Sequence, residues 1–338
     1  MPNIIRLADL PPPPHGKTGW PWDQESDSFS PPPSREAPRF SVITPSYMQG
    51  EFIEATIRSV LLQNYPNIEY IVIDGGSTDE TTAILKKYEP WLSYWISEKD
   101  NGQADAINKG LMRITGDIVA YLNSDDWYHP NAFSIVANRL SEHPSERWWV
   151  GLVDNCSADG VEIDRKTSEF TTLPGFIGRS ETLHQPGVFW HRKLTQHAGP
   201  FDEALHYAFD IEYWIRLWCA GFRCAAVNLP LANFRLHFAS KTSSKQHLFM
   251  KELWIVAKQY KKQLSPNQWA EARDLLEQYE AGYFIDSVYS LLVRKQRLLA
   301  LFYLSKRFSL IRRLTPSRLY WGALSRVLFT GRAPEWFR

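Results

Sequence analysis

The stretch YIVIDGGSTDET, Tyr70 to Thr81, decides how this sequence folds. Tyr70 to Ile73 form a short apolar run, Asp74 follows at once, and two glycines precede Ser77, Thr78 and Asp79. An apolar run of that length bounded by a turn signal reads as a strand, and Thr78 or Asp79 ahead of the next amphipathic segment reads as a helix cap. Capping leaves Asp74 unexplained, because a carboxylate buried without a partner behind such a run is costly. An acid and a Gly-Gly turn at a strand end suit a place where a nucleoside approaches the backbone closely.

Read outward from this stretch, the same unit recurs about every 25 residues. Strands are expected at 41–44, 69–73, 94–97 and 118–122, with helices near 51–63, 80–88 and 104–112, which is the pattern of βαβ units around a parallel sheet. Polar residues follow each strand: Thr44, Pro45 and Ser46; Asp74 to Ser77; Glu98 to Asn101; Asn123 to Asp126. Ligands of an open α/β sheet bind outside the carboxyl ends of its strands, so these clusters are expected at one crevice. A helix from about 130 to 140, a strand at 148–153 and a Gly- and Thr-rich region to Gly187 come next. Residues 210–220 form an amphipathic helix with Ile211, Trp214, Ile215 and Trp218 on one face, followed by two short strands near 224–228 and 232–237. Helices are expected at 248–260, 267–279, 285–303 and 316–328. Residues 1–39, with PPPP and PPP runs, read as an extended, loosely ordered arm without chemistry. Its Gly16-Lys17-Thr18 lacks the earlier glycine and strand of a phosphate loop.

The run YLNSDDW, Tyr121 to Trp127, delivers two adjacent carboxylates at a strand end. Hard cations such as Mg²⁺ and Mn²⁺ take oxygen ligands and commonly bind through one or two carboxylates plus substrate phosphates. Taken alone, Asp125 and Asp126 equally suit caps for the helix beginning near Pro130.

The ordered set SVITPSY, VIDGGSTDET, DNGQADAINKG and GDIVAYLNSDDW resembles the donor half of inverting family-two glycosyltransferases with the GT-A fold. The resemblance is close over 40–133 and looser to about 242. It implies a Rossmann-like, mostly parallel sheet flanked by helices, with 40–133 as the nucleotide-sugar half, 134–243 as the acceptor half and 244–338 as a helical C-terminal extension. It implies donor contacts from Thr44, Pro45, Ser46, Asp74, Gly75, Asp100, Asn108, Asn123 and Ser124. The family's metal-binding DxD pattern falls on Asn123-Ser124-Asp125, so Asp125 is the expected ligand of Mn²⁺ or Mg²⁺, with His237 from NFRLHFASKTS completing the site and Arg235 and Lys241 flanking it. GPFDEALHYAFDIEYWIRL, Gly199 to Leu217, resembles the acceptor helix, which makes Asp210 the general base and Glu212 its alternative. HQPGVFWHR places His184 and Gln185 at the acceptor, beside Asp126 and Trp127. Three positions depart from the pattern: Asn123 and Gly75 stand where the family carries acids, and Ile107 where an arginine is frequent.

The implied reaction moves a sugar from a nucleotide-diphosphate-sugar donor to a saccharide or lipid-linked hydroxyl, as in polysaccharide or glycolipid biosynthesis. The alternatives are a scaffold protein of this fold without catalysis, and a sugar-phosphate nucleotidyltransferase, which normally shows a Gly-rich basic loop that SVITPSYMQG lacks. A net charge of +1 excludes a surface devoted to nucleic acid. Cys156, Cys219 and Cys224 are too few for a disulfide scaffold and read as a reducing cytoplasm. Residues 291–338 hold eleven Lys or Arg against one Glu, beside Leu, Phe, Tyr and Trp, which suits peripheral contact with an anionic membrane.

Overall fold

Phe40–Ser46 (β1) is buried along its whole length, and Ile68–Asp74 (β2), Tyr94–Ser97 (β3) and Ile118–Tyr121 (β4) run parallel beside it. Strands covered on both faces carry unbroken apolar runs, which is why Val42, Ile43, Val72, Ile73, Ile118 and Val119 are fully buried. Ile53–Leu61 (α1), Thr81–Tyr88 (α2) and Gln103–Leu111 (α3) make the crossovers. The computed structural model describes residues 4–29, 36–237, 246–293, 295–306, 321–322 and 324–330.

Past β4 the sheet becomes mixed. Trp127–Tyr128 (β5), Ala132–Glu142 (α4), Trp148–Cys156 (β6), Glu162–Lys166 (β7), Leu173–Ile177 (α5), Val188–His191 (β8), Lys193–Ala198 (α6), Phe209–Cys219 (α7) and Ala225–Arg235 (β9) follow in order. Among the described residues the strand order is β3-β2-β1-β4-β8-β6-β9-β5, with β7 also on β6. Strand β8 is antiparallel to both β4 and β6, whereas β9 is parallel to β6. Two short strands were expected where β9 runs as one. Its register against β6 slips between Gly151 and Leu152 and again between Leu152 and Val153, so the chain around Pro230 carries extra residues and keeps its pairing.

One face of the sheet packs Phe40, Tyr65, Phe133, Tyr128 and Phe189 with α1, α2 and α4. The other packs Trp148, Trp190, Tyr213 and Trp214 around α7, whose Ile211, Trp214 and Ile215 are buried as its periodicity requires, while Trp218 stacks on Phe170.

The N-terminal arm departs from the expectation of loose order. Arg58 of α1 is fully buried; its Nη1 donates to Pro11 O at 2.8 Å, its Nη2 to Trp22 O at 2.7 Å and its Nε to Pro21 O at 3.0 Å. Trp20 Nε1 donates to Tyr128 O at 2.7 Å, and Ser26 is bonded to Leu62 and Asn131. A buried guanidinium must be saturated with acceptors, and the arm supplies them as carbonyls.

The chain divides into two units, Met1–Phe170 with Thr182–Leu253, and Thr171–Glu181 with Trp254–Arg338. Gln246–Gln259 (α8) begins in the first and ends in the second. In the second unit Pro266–Val293 (α9) is one helix of 28 residues where two were expected, running through Gly282, and Arg297–Lys306 (α10) follows. Leu275 of α9 packs over Gly178 just past α5, and Ile285, Val288, Tyr289, Leu292, Ala300 and Val327 form a small core. Among the described residues no helix is long and apolar enough to cross a membrane. Lys241, the expected boundary at 243/244 and most of the expected helix at 316–328 lie outside the described residues.

Candidate active site

The ends of the parallel strands meet through the backbone. Gly75 N donates to Ser46 O at 2.8 Å, Glu98 N to Asp74 O at 3.0 Å and Leu122 N to Ile43 O at 2.9 Å, so the four polar clusters share one edge of the sheet. The loop after β1 is then laced to the loop after β2: Met48 N donates to Ser77 Oγ at 2.7 Å, Gln49 N to Thr81 Oγ1 at 3.0 Å and Gly50 N to Asp79 Oδ2 at 2.9 Å.

Asp74 is fully buried and fully partnered. It accepts from Gly76 N, Ser77 N, Ser77 Oγ and Ser97 Oγ at 2.6–3.2 Å, which removes the cost of its burial and braces the turn after β2 against β3. Its carboxylate thus braces the turn at the strand end where the donor contact was expected. Thr44 is buried, and its hydroxyl is 3.1 Å from Tyr70 OH inside the sheet. Ser46 is different. It is 4% exposed, and among the described residues its Oγ has no hydrogen-bond partner. Beside it Tyr47, which the sequence reading passed over, is 63% exposed and presents an aromatic face at the mouth.

Gly75 leaves room for the Asp100 carboxylate. A Cβ there would stand 2.7 Å from Asp100 Oδ2, so the position of the missing family acid is covered by a carboxylate from the next strand end. Burial, with repulsion from Asp105 and Asp74, raises the pKa of Asp100 above its ordinary value, while Gly102 N holds its Oδ1 at 2.9 Å. Asn108 is 7% exposed and its amide bonds with Phe201 N, Phe201 O and Glu203 Oε1, so it pins the segment ahead of α7.

At the end of β4, Asn123 sits in a network of amides. Gln103 Nε2 donates to Asn123 Oδ1 at 2.6 Å, and Asn123 Nδ2 donates to Asp126 Oδ2 and to Gln185 Oε1, each at 3.3 Å. Gln185 Nε2 donates in turn to Tyr121 O at 2.6 Å. Gln185 and Asp126, expected near the acceptor, are both buried in this network. Asp126 is 1% exposed and accepts from Arg235 N at 2.9 Å, and burial, then the neighbouring charge of Asp125, push its pKa well above the carboxylate range. Trp127 is also buried, with the Arg235 guanidinium 4.3 Å above its ring. Ser124 is buried, and its carbonyl accepts from Thr56 Oγ1.

Asp125 points the other way. Its Oδ2 lies 2.9 Å from His237 Nε2, although 112 residues separate the two, and Arg235 Nε donates to its carbonyl at 2.9 Å. The strand β9 makes this meeting possible by carrying Arg235 past β5 and β6, and Phe52 packs on the His237 ring. Asp210, in the first turn of α7, accepts from Ile211 N at 2.8 Å and lies close enough to Tyr121 at the end of β4 to raise, after burial, that phenol's pKa. Glu212, the alternative base, is 2% exposed and paired with Arg216. His184 is half-buried, held through its backbone N–H by Ser168 Oγ at 2.9 Å. Among the described residues no three His, Cys, Asp or Glu side chains form a metal cage, so a cation here would rest on Asp125, His237 and the donor's oxygens.

The arrangement has known counterparts. The profile described as Glycosyl transferase family 2 matches residues 41–146. An uncharacterized glycosyltransferase of Mycobacterium tuberculosis is 35% identical over 197 residues, covering 57% of this chain and 72% of the relative. TuaG of Bacillus subtilis, named as a teichuronic acid biosynthesis glycosyltransferase, is 30% identical over 225 residues, covering 65% of this chain and 87% of its own. The fold matches S. aureus TarS 1-349 in complex with UDP-GlcNAc, at TM-score 0.56, 20% identity and 88% and 82% coverage of the two chains. It also matches the mannosyltransferase PcManGT of Pyrobaculum calidifontis in complex with GDP-Man and Mn²⁺, at TM-score 0.55, 17% identity and 90% and 91% coverage. On these matches the chain is a glycosyltransferase and belongs to glycosyl transferase family 2, built on the GT-A fold.

Proposed function

We propose that this glycosyltransferase takes its sugar from a nucleotide-diphosphate donor, uses a divalent cation and inverts the anomeric carbon. The observation that carries the reading is the meeting of Asp125 and His237 at 2.9 Å beside the end of β4, from segments 112 residues apart. One carboxylate oxygen and one imidazole nitrogen suit Mn²⁺ or Mg²⁺ when donor phosphates supply the remaining oxygens. A cation bound there supplies Lewis-acid neutralisation of the departing diphosphate. The unpartnered Ser46 Oγ and the exposed Tyr47 ring give the donor a hydroxyl and a stacking face. Asp210 accepts the acceptor proton while the hydroxyl oxygen forms its bond to C1 and the bond from C1 to the diphosphate breaks on the opposite face. UDP-GlcNAc in TarS and GDP-Man with Mn²⁺ in PcManGT support a donor of this class.

We read residues 40–243 as the catalytic body, with 1–39 and 244–338 appended to it. The teichuronic acid assignment of TuaG supports a role in surface polysaccharide assembly on a saccharide or lipid-linked acceptor. The basic residues of 291–338, with Leu298, Trp321 and Phe329 exposed, support a cytoplasmic enzyme held at an anionic membrane. The test is release of nucleoside diphosphate from UDP-GlcNAc and GDP-mannose with Mn²⁺ and with chelator. Asp125→Ala should abolish release without loss of fold, and full activity in that variant refutes the reading.

A further inference from the structure

Three consecutive backbone N–H groups ahead of α7 converge on a single carboxylate from far along the chain. Glu252, on α8, is 8% exposed. Its Oε2 accepts from Tyr207 N at 2.7 Å and Ala208 N at 2.9 Å, and His206 N lies 2.9 Å from Oε1 and 3.0 Å from Oε2. Helix α7 has no capping side chain of its own at Ala208. Ala208 N is one of the N–H groups left open at the helix start, and those of His206 and Tyr207 lie in the turn ahead of it, so a buried carboxylate 44 residues downstream of Ala208 holds the approach to α7.

The clamped segment carries two side chains toward the crevice edge. The His206 ring lies 3.4 Å from where a Cβ on Gly102 would stand, at the head of α3, and Asp210 leaves the first turn of α7. On the other side of His206 the same segment is pinned by Asn108 through Phe201. Without Glu252 the three N–H groups lose their acceptor and the start of α7 is free to shift. A base must stay within hydrogen-bond reach of the proton it takes, so a small shift there costs rate and leaves donor contacts on β1 and β4 alone.

We propose that Glu252 is a positioning residue that holds Asp210 at the acceptor hydroxyl, an inference that rests on Asp210 being the base. The test uses the full chain with Mn²⁺ and, as probes, UDP-GlcNAc and GDP-mannose with water as acceptor. In that reaction the bond from C1 to the diphosphate breaks, a C1–OH bond forms, and the water proton passes to Asp210. Glu252→Ala should lower kcat about 10- to 100-fold with the donor KM changed less than about twofold, and should add nothing in an Asp210→Asn background. A variant that merely loosened the fold would raise KM and cost a further factor in that background.

If Asp210→Asn hydrolyses the donors as fast as the unaltered chain, the assignment of the base fails. If Asp210→Asn is impaired while Glu252→Ala is not, or the two losses multiply, the role of Glu252 is overturned. Glu252→Gln, which keeps the shape and one acceptor oxygen, gives a readout without turnover. Hydrogen exchange at the amides of 206–212 should quicken while β1 and β4 keep their protection, and unchanged exchange at 206–212 refutes the proposal.

Discussion

Replacing Asn123 by Asp would restore the family's acid and should destabilise this protein. Asn123 Nδ2 is the donor that faces Asp126 Oδ2 and Gln185 Oε1 at 3.3 Å. A carboxylate in its place removes both hydrogen bonds and sets two negative charges about 3.3 Å apart. With an effective dielectric constant of about 20, that contact costs about 5 kcal/mol before relaxation. Holding a proton on a carboxyl of ordinary pKa near 4 at pH 7.5 costs about as much, at about 1.4 kcal/mol for each pH unit. Burial already raises the pKa of Asp126, so a proton shared between the two carboxyls meets part of the cost, and the net loss should be about 2–4 kcal/mol. For a chain of this size that lowers Tm by roughly 3–6 °C.

The sign with pH follows from the same geometry. The new carboxyl has a folded pKa above its unfolded value, so its penalty is absent below about pH 4 and grows as pH rises through the folded value. Thermal unfolding at pH 5 and pH 7.5 should show the gap from the unaltered protein widening, while Asn123→Ala, which adds no charge and only removes a donor from Asp126, should show a smaller gap at pH 7.5. Equal Tm values at pH 7.5, or a gap that ignores pH, would show that Asn123 is not holding Asp126.

Gly75→Ala should cost about 1–3 kcal/mol in thermal shift and weaken donor binding, because its Cβ meets Asp100 Oδ2 at 2.7 Å. Arg58→Met should cost about 3 kcal/mol or more by orphaning the carbonyls of Pro11, Pro21 and Trp22, and limited proteolysis should then cut within residues 4–29 faster. The Arg165 hydrogen bonds, with His129 and against burial, hold Asp154 below its ordinary carboxylate pKa. That contribution is present above the unfolded pKa near 4 and lost as pH falls through the folded value. Asp154→Asn should therefore cost about 2–3 kcal/mol at pH 7, and urea unfolding should show the gap closing below pH 4.

Residues 40–133 were legible because their strands are covered on both faces and their polar residues fall at strand ends, as at Ile73-Asp74 and Leu122-Asn123. Elements whose limits depend on partners were read less well. Two strands were expected near 224–228 and 232–237, yet β9 runs on through Pro230 because its register slips against β6, and α9 runs on through Gly282. Among candidate site residues, motif position did not separate groups that face solvent from groups that brace the turns. Asp74, Asn108, Asp126 and Gln185 are consumed by backbone and amide partners, and only Asp125, of the adjacent acids, turns toward His237. Arg58 and Glu252 escaped notice because their partners are main-chain atoms, which no residue pattern marks.

The slippage of β9 against β6 also bears on how transferases of this kind could be recombined. All of the mismatch is spent between Val227 and Ala232, after which Ala232 to Arg235 pair in step with Val153 to Cys156. A chimera joined within 228–231 can absorb an extra or missing residue there, since the strand already tolerates irregular spacing. The same change placed after Ala232 would invert the alternation of faces, turning the Arg235 guanidinium away from the Asp125 carbonyl and carrying His237 off with it.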